Sequence, residues 1–263
     1  MPSDNRSSST SYAGPSKTMK KDKSGGIGET LRTVLYAVLI ALGVRTFAYE
    51  PFNIPSGSMV PTLLVGDYLF VSKFSYGYSR HSFMFHLPLF DGRILGSEPQ
   101  RGDVAVFKTP EDNSTDYIKR IIGLPGDRIQ VVGGILQING EAVRRERVGE
   151  LVNAESGFRP IRYLEYVETL PGGRQHRIVE VSDNEPFDNT PVFVVPVGRY
   201  FMMGDNRDNS QDSRDPRVRF VPAENLVGRA DFLWFSLDEG TRFWEVWKWP
   251  FTLRIGRMFN GIT

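Results

Sequence analysis

The sequence predicts a mainly β protein preceded by one N-terminal transmembrane helix. Three observations predict it. Short β-branched and aromatic runs bounded by Gly, Pro and Asp recur at residues 68–71, 104–107, 117–122, 128–132, 193–195, 200–203 and 226–235. Gly133-Gly134 and Asn139-Gly140 lie where tight hairpin turns are needed. One long apolar stretch, LRTVLYAVLIALGVRTFAY at residues 31–49, precedes all of these runs. The 26 Gly and 17 Pro in 263 residues favour many turns over long helices.

Taken in order, residues 1–30 are rich in Ser, Gly, Lys and Asp and have no apolar period, so they read as a disordered tail. Residues 31–49 read as a single span. Its uncharged centre, 33–44, is short, but Arg32 and Arg45 sit near the ends and can snorkel. At ~1.5 Å per residue the whole stretch approaches the roughly 30 Å hydrocarbon core. Lys17, Lys20, Lys21 and Lys23 precede it, which places the N-terminus in the cytoplasm and the remainder outside. A buried soluble helix and a cleaved signal peptide ending at Thr46-Phe47-Ala48 are the rival readings of this stretch. The long polar tail before it is unusual for a signal peptide. Residues 50–134 and 199–240 read as two parts of one β core. Residues 135–198 carry more charge and weaker patterning and read as an inserted small β subdomain. Residues 241–263 hold Trp244, Trp247 and Trp249 among basic residues, a composition that suits contact with a lipid bilayer or an ordinary packed amphipathic helix.

Composition removes several chemistries. Net charge is +1, so no basic field points to nucleic acid. There is no cysteine, hence no disulfide, no thiolate catalysis and no cysteine-ligated zinc. His81, His86 and His176 lack metal-ligand spacing, so neither a metal nor any other cofactor is expected. A hydrolase built on this chain needs a general base other than a metal-bound water.

Three clusters carry chemistry. In Pro55-Ser56-Gly57-Ser58-Met59 two serines flank a glycine between prolines at 55 and 61. Such a stiff turn lets backbone amides approach a ligand, so a serine there can be a nucleophile with an oxyanion donor beside it. On its own it reads as an ordinary surface turn. In Asp116-Tyr117-Ile118-Lys119-Arg120-Ile121, strand alternation places Tyr117, Lys119 and Ile121 on one face. Burial of that face disfavours the ammonium and makes Lys119 a competent base. An edge-strand lysine that snorkels is the alternative. The third cluster runs Gly204-Asp205-Asn206-Arg207-Asp208-Asn209-Ser210-Gln211-Asp212-Ser213-Arg214 directly after an apolar strand. Its side chains can bind loop backbone and pair Asp with Arg, or leave a solvated or calcium-binding loop; the EF-hand spacing is absent.

Together and in this order the clusters resemble the type I signal peptidase (leader peptidase) family. Arg101-Gly102-Asp103-Val104, Gly123-Leu124-Pro125-Gly126-Asp127, Val221-Pro222 and Leu226-Val227-Gly228-Arg229-Ala230 extend the resemblance. It covers most of 50–132 and 199–236 and little of 135–198. The resemblance implies a core of coiled antiparallel β-sheets and a Ser-Lys serine endopeptidase of the bacterial inner membrane. Ser58 would be the nucleophile and Lys119 the general base. The Ser58 amide and Ser56 hydroxyl would form the oxyanion hole, Ser210 would hydrogen-bond and aim the lysine, and Asp212 with Arg214 would form a supporting ion pair. Phe52, Ile54, Leu69, Val106 and Ile118 would wall the pocket for the substrate's −3 side chain. Pro55, Met59, Leu63 and Tyr117 would form the −1 pocket. Substrates would be preproteins whose signal peptides end in Ala-x-Ala. Asn53 stands where glutamine is common, which affects only that flank. A lysine base leaves His81 and His86 as a rival Ser-His arrangement. A relative with another target, such as a self-cleaving repressor or pilus-processing peptidase, and a catalytically silent peptide-binding domain are the rival functions.

Overall fold

The computed structural model describes residues 27–82, 92–153 and 160–263. The chain divides between Ile40 and Ala41 into two units. The only long helix among the described residues, α1 (Ile27–Phe47), has 21 residues and no buried side chain. At ~1.5 Å per residue it is about 31 Å long, enough to cross a bilayer. It begins four positions before the predicted stretch and ends two before it. Glu29 supplies the negative charge that a helix N-terminus favours. At the other end Tyr49 already pairs with Ser72, and Pro51 cannot continue a helix. The predicted disordered tail therefore loses residues 27–30 to α1; the remainder of it, with Lys17 to Lys23, lies outside the described residues.

The strands run in chain order as β1 (Tyr49–Asn53), β2 (Asp67–Ser72), β3 (Val104–Lys108), β4 (Asp116–Gly123), β5 (Arg128–Val132), β6 (Ile135–Ile138), β7 (Glu141–Ala142), β8 (Arg144–Asn153), β9 (Ile161–Thr169), β10 (Gln175–Glu180), β11 (Phe193–Val194), β12 (Arg199–Met203), β13 (Phe220–Pro222) and β14 (Leu226–Ser236). The main sheet has the order β1-β2-β14-β3-β4-β12-β13 and is antiparallel throughout. It curls into a half-barrel, so the coiled antiparallel core is present. Register shifts in β14 between Ala230 and Phe232 and between Leu233 and Phe235 supply bulges, which bend a strand and increase its twist.

Two smaller sheets complete the fold. One joins β11-β5-β6-β7 and the other β10-β9-β8. The two predicted hairpin turns form: Asn139 and Gly140 have φ of 57° and 86°, Gly133 and Gly134 of 53° and 72°. Both pairs occupy the left-handed region that a two-residue hairpin turn requires at both positions.

Apolar residues of the central strands feed three clusters. Ile54, Met59, Leu63, Leu69 and Val106 belong to one, with Phe52 and Ile118 packed against it. Ala105, Phe107, Ile121 and Met202 belong to a second, with Tyr117 against it. Ile122, Phe201 and Met203 belong to the third. After β14 the chain turns back along it through the pairs Leu237–Leu253 and Phe232–Gly261. Arg257 and Arg254 both reach the buried Asp67 carboxylate, at 2.6 and 3.3 Å. Trp249 packs on Phe235 with ring centroids 4.8 Å apart, whereas Trp244 and Trp247 stay exposed.

Candidate active site

Gly57–Met59 is a single 3₁₀ turn between β1 and β2. Met59 is fully buried and anchors the turn in the apolar cluster beneath it. Ser58 is also buried, and its N–H belongs to the first turn, where no intrahelical carbonyl is available to it. Ser56 precedes it in extended backbone, and its hydroxyl does not cap the turn. Asn206 clamps the turn from outside. Its N–H donates to the Ser58 carbonyl and its Nδ2 to the Gly57 carbonyl, both at 3.1 Å. Gly204 passes so close that an added Cβ would lie 2.5 Å from the Ser58 carbonyl and 2.2 Å from Ser210 Oγ. No residue with a side chain fits there.

Lys119 projects from β4 toward this turn. Its Nζ lies 2.8 Å from Ser58 Oγ and donates to the Ile118 carbonyl at 2.9 Å. The Tyr117 ring centroid is 5.2 Å away, and only 4% of the lysine is exposed. Burial lowers the amine from its ordinary 10.5 to about 8; the carboxylates of Asp212 and Asp205 act against this fall. A neutral amine at 2.8 Å from a hydroxyl is equipped to accept its proton.

The polar loop after β12 folds inward. Asp212 and Arg214 make the expected ion pair, two-pronged at 3.0 and 2.8 Å and wholly buried. Burial raises the Asp212 carboxyl, but the Arg214 charge outweighs it, and the net direction is down. Ser210 departs from expectation. Its hydroxyl makes no hydrogen bond to Lys119, whose amine is engaged by Ser58 and Ile118 instead. Ser210 Oγ sits against Gly204 and contributes weakly to holding Asp212, without reaching the geometry of a full hydrogen bond.

Sequence reasoning missed the ions that fix this loop. Fully buried Arg120 grips Asp205 at 2.9 and 2.7 Å. Arg207 grips Glu168 of β9 at 3.0 and 2.6 Å. Residues 205–207 also add to β10, since Val179 donates to Asp205 and Arg207 donates back to Val179, each at 2.9 Å. One signal was available: Arg120 lies between Ile118 and Ile122 on its strand face, an apolar setting that demands a partner.

Ser58 and Lys119 open on a cleft of about 460 Å³, also lined by Pro55, Ser56, Tyr117 and Ile118. Asn209 and Gln211 line it as well, and Tyr117 donates to Gln211 Oε1 at 2.9 Å. Among the expected −1 residues, Pro55 and Tyr117 face the cleft while Met59 and Leu63 are fully buried. Among the expected −3 residues, Ile118 lines the cleft and Phe52 is half-buried; Ile54, Leu69 and Val106 are buried in the cluster that holds Met59. Among the described residues no histidine lines the cleft. His81 lies in the 3₁₀ turn Arg80–Ser82, packed on β14, and His176 lies on β10 with Nε2 3.3 Å from Glu168. His86 lies outside the described residues. No cluster of three or more His, Asp or Glu side chains suited to a metal ion occurs among the described residues.

A buried serine and lysine lie in contact at the edge of this cleft. The family described as "Signal peptidase, peptidase S26" matches residues 27–235, and the chain belongs to that family; it is a serine peptidase. Signal peptidase I of Rickettsia conorii is 44% identical over 246 residues, covering 86% of this chain and 90% of the relative. That of Rickettsia canadensis is 46% identical over 250 residues, covering 88% and 92%. A crystal structure of a signal peptidase I from Enterococcus faecalis is 25% identical with a TM-score of 0.30, covering 51% of this chain and 97% of that one.

Proposed function

We propose that the chain is a membrane-anchored endopeptidase that removes signal peptides from secreted preproteins after small-x-small sites, with Ser58 as nucleophile and Lys119 as base. The 2.8 Å contact between Lys119 Nζ and Ser58 Oγ carries this reading. The neutral amine takes the hydroxyl proton while Oγ attacks the scissile carbonyl. The Ser58 N–H and the Ser56 hydroxyl receive the oxyanion. As the tetrahedral adduct collapses, the lysine returns its proton to the leaving amine. Water, deprotonated by the same lysine, then releases the signal peptide from Ser58. Of the expected −1 residues Pro55 and Tyr117 line the cleft, while Met59 and Leu63 are fully buried and do not; the preference for alanine-sized side chains follows from the resemblance to the family.

The apolar α1 supports a single-pass anchor in the bacterial inner membrane, and the lysines at 17–23 support a cytoplasmic N-terminus with the catalytic unit outside. Exposed Trp244, Trp247, Phe251 and Phe259 favour contact of the C-terminal segment with lipid. The test uses the full chain in detergent with a precursor whose signal peptide ends in Ala-x-Ala. Ser58→Ala and Lys119→Ala each abolish cleavage, and the double variant is no worse than either, because the two act as one unit. Activity retained in Lys119→Ala, with loss in His81→Ala or His86→Ala, would overturn the assignment.

A further inference from the structure

An endopeptidase holds its substrate on both sides of the bond it cuts, and the cleft beside Lys119 accounts for one side. A second pocket, of about 170 Å³, lies at the same nucleophile turn. Gly57 and Asn209 line both cavities, so the two adjoin at the nucleophile turn, one residue before Ser58. Tyr117, Ile118 and Lys119 line the first and not the second. The second is walled by Val60, Leu64 and Val65 from the segment after the nucleophile, and by Leu151, Val152 and Tyr163 from β8 and β9. Leu151 and Tyr163 are register partners across that strand pair. Tyr163 is buried, whereas Val152 is 58% exposed, an apolar side chain left at the mouth. Asn206 also lines the pocket. Its Oδ1 is buried with no hydrogen-bond partner, while its Nδ2 holds Gly57.

We infer that this pocket seats the first residues of the released chain, on the C-terminal side of the cleaved bond. The inference rests on the reading that Ser58 attacks a chain whose signal-peptide half lies beside Tyr117. Continuity identifies the occupant. A polypeptide that leaves the first cleft past Ser58 enters a space sharing Gly57 and Asn209 with it. The walls fit small or apolar side chains, and Asn206 Oδ1 offers an acceptor for a substrate N–H. The sheet of β8 and β9, remote in sequence from the dyad, thereby reads the mature protein rather than its signal.

The experiment uses the full chain in detergent and two precursors identical except for Lys-Lys or Asp-Asp directly after Ala-x-Ala. The readout is the ratio of kcat/KM for the Lys-Lys precursor to that for the Asp-Asp precursor. Val152→Asp raises this ratio about fivefold over the parent and Val152→Lys lowers it about fivefold, the effect of one exposed charge pair. Glu239→Lys, at an exposed position lining the same pocket, lowers it too and serves if β8 rejects a charge. A ratio unchanged in all three variants, or moving the same way in Val152→Asp and Val152→Lys, overturns the seat while the peptidase reading stands. A parent that cuts neither precursor, nor one with alanines after the bond, overturns both.

Discussion

Replacing Lys119 by methionine removes the proposed base and tests how the protein holds it neutral. The lysine is 4% exposed, and burial brings its amine from 10.5 to about 8. The sign follows from proton linkage. In the unfolded chain the amine binds its proton more tightly, so protonation favours unfolding. This penalty is fully present below pH 8 and fades as pH rises toward 10.5. Each tenfold difference in proton affinity corresponds to ~1.4 kcal/mol, which gives about 3 kcal/mol at pH 7 and under ~1 kcal/mol at pH 10. Methionine fills similar space without a charge. It also forfeits the hydrogen bonds to Ser58 Oγ and the Ile118 carbonyl, roughly 1 kcal/mol net. Lys119→Met should therefore be inactive yet more stable than the parent by about 2 kcal/mol at pH 7, with no gain at pH 10. Denaturant unfolding of the full chain in detergent at the two pH values measures this. A variant equally destabilised at both would show that the lysine is not a strained, desolvated base, and the mechanism would lose its physical foundation.

Further outcomes follow from the same geometry. The rate under kcat/KM conditions should rise with pH through an ionisation near 8, as burial of Lys119 dictates; a limb at ~6.5 abolished by His81→Ala would transfer the base role. Asp212→Asn should move that limb downward, because the Asp212 carboxylate raises the lysine's proton affinity. The same change strands the buried Arg214 and should cost about 3–5 kcal/mol in unfolding; an upward move of the limb would contradict the assignment. Tyr117→Phe and Gln211→Leu each remove the 2.9 Å bond that fixes the cleft wall. Each should lower kcat/KM for an Ala-x-Ala precursor about threefold and relax the rejection of larger side chains, with no further loss in the double variant. Fully additive losses in a precursor cleavage assay would show that the two residues do not act through each other.

Local pattern made much of this legible. The core strands carry β-branched and aromatic runs bounded by turn residues, so β2 to β5, β12 and β14 were readable. Asn139-Gly140 announced its own turn because left-handed backbone is cheapest at those residues. The Ser58–Lys119 pair was readable from motif order, and Asp212 and Arg214 lie close enough in sequence to pair within one loop. The strands β8 to β10 were not. Residues 144–153, RRERVGELVN, show no apolar alternation, since Arg145 is stabilised by Glu180 and Asp183 of distant segments rather than by an apolar face. The start of β1 was hidden because Tyr49 is apolar enough to extend a span, and only its pairing with Ser72 assigns it to the sheet. The hydrogen bond expected from Ser210 is absent for a reason visible only in three dimensions: the Lys119 amine is engaged by Ser58 Oγ and the Ile118 carbonyl instead.

The contact between Lys119 and Ser58 is the closing link of a circuit that begins and ends on one strand. Consecutive residues of β4 face opposite ways, so Lys119 and Arg120 serve different partners. Met203 is paired with Arg120, and the chain therefore leaves β12 beside that arginine. Two residues on, Asp205 receives the Arg120 guanidinium in a wholly buried pair. The next residue, Asn206, holds the Ser58 carbonyl, and Ser58 Oγ returns to Lys119. An isolated lysine with its flexible stem would not hold a serine at a fixed distance. Here Lys119 is fixed by its strand, and Ser58 is fixed to the neighbouring residue of that same strand through Asp205 and Asn206. Loss of one partner from a buried pair of this kind costs about 3–5 kcal/mol, far more than a surface ion pair contributes. Burial that lowers the lysine and burial that strengthens the Arg120–Asp205 link thus come from one packed sheet. The chemistry and its alignment depend on the same exclusion of water.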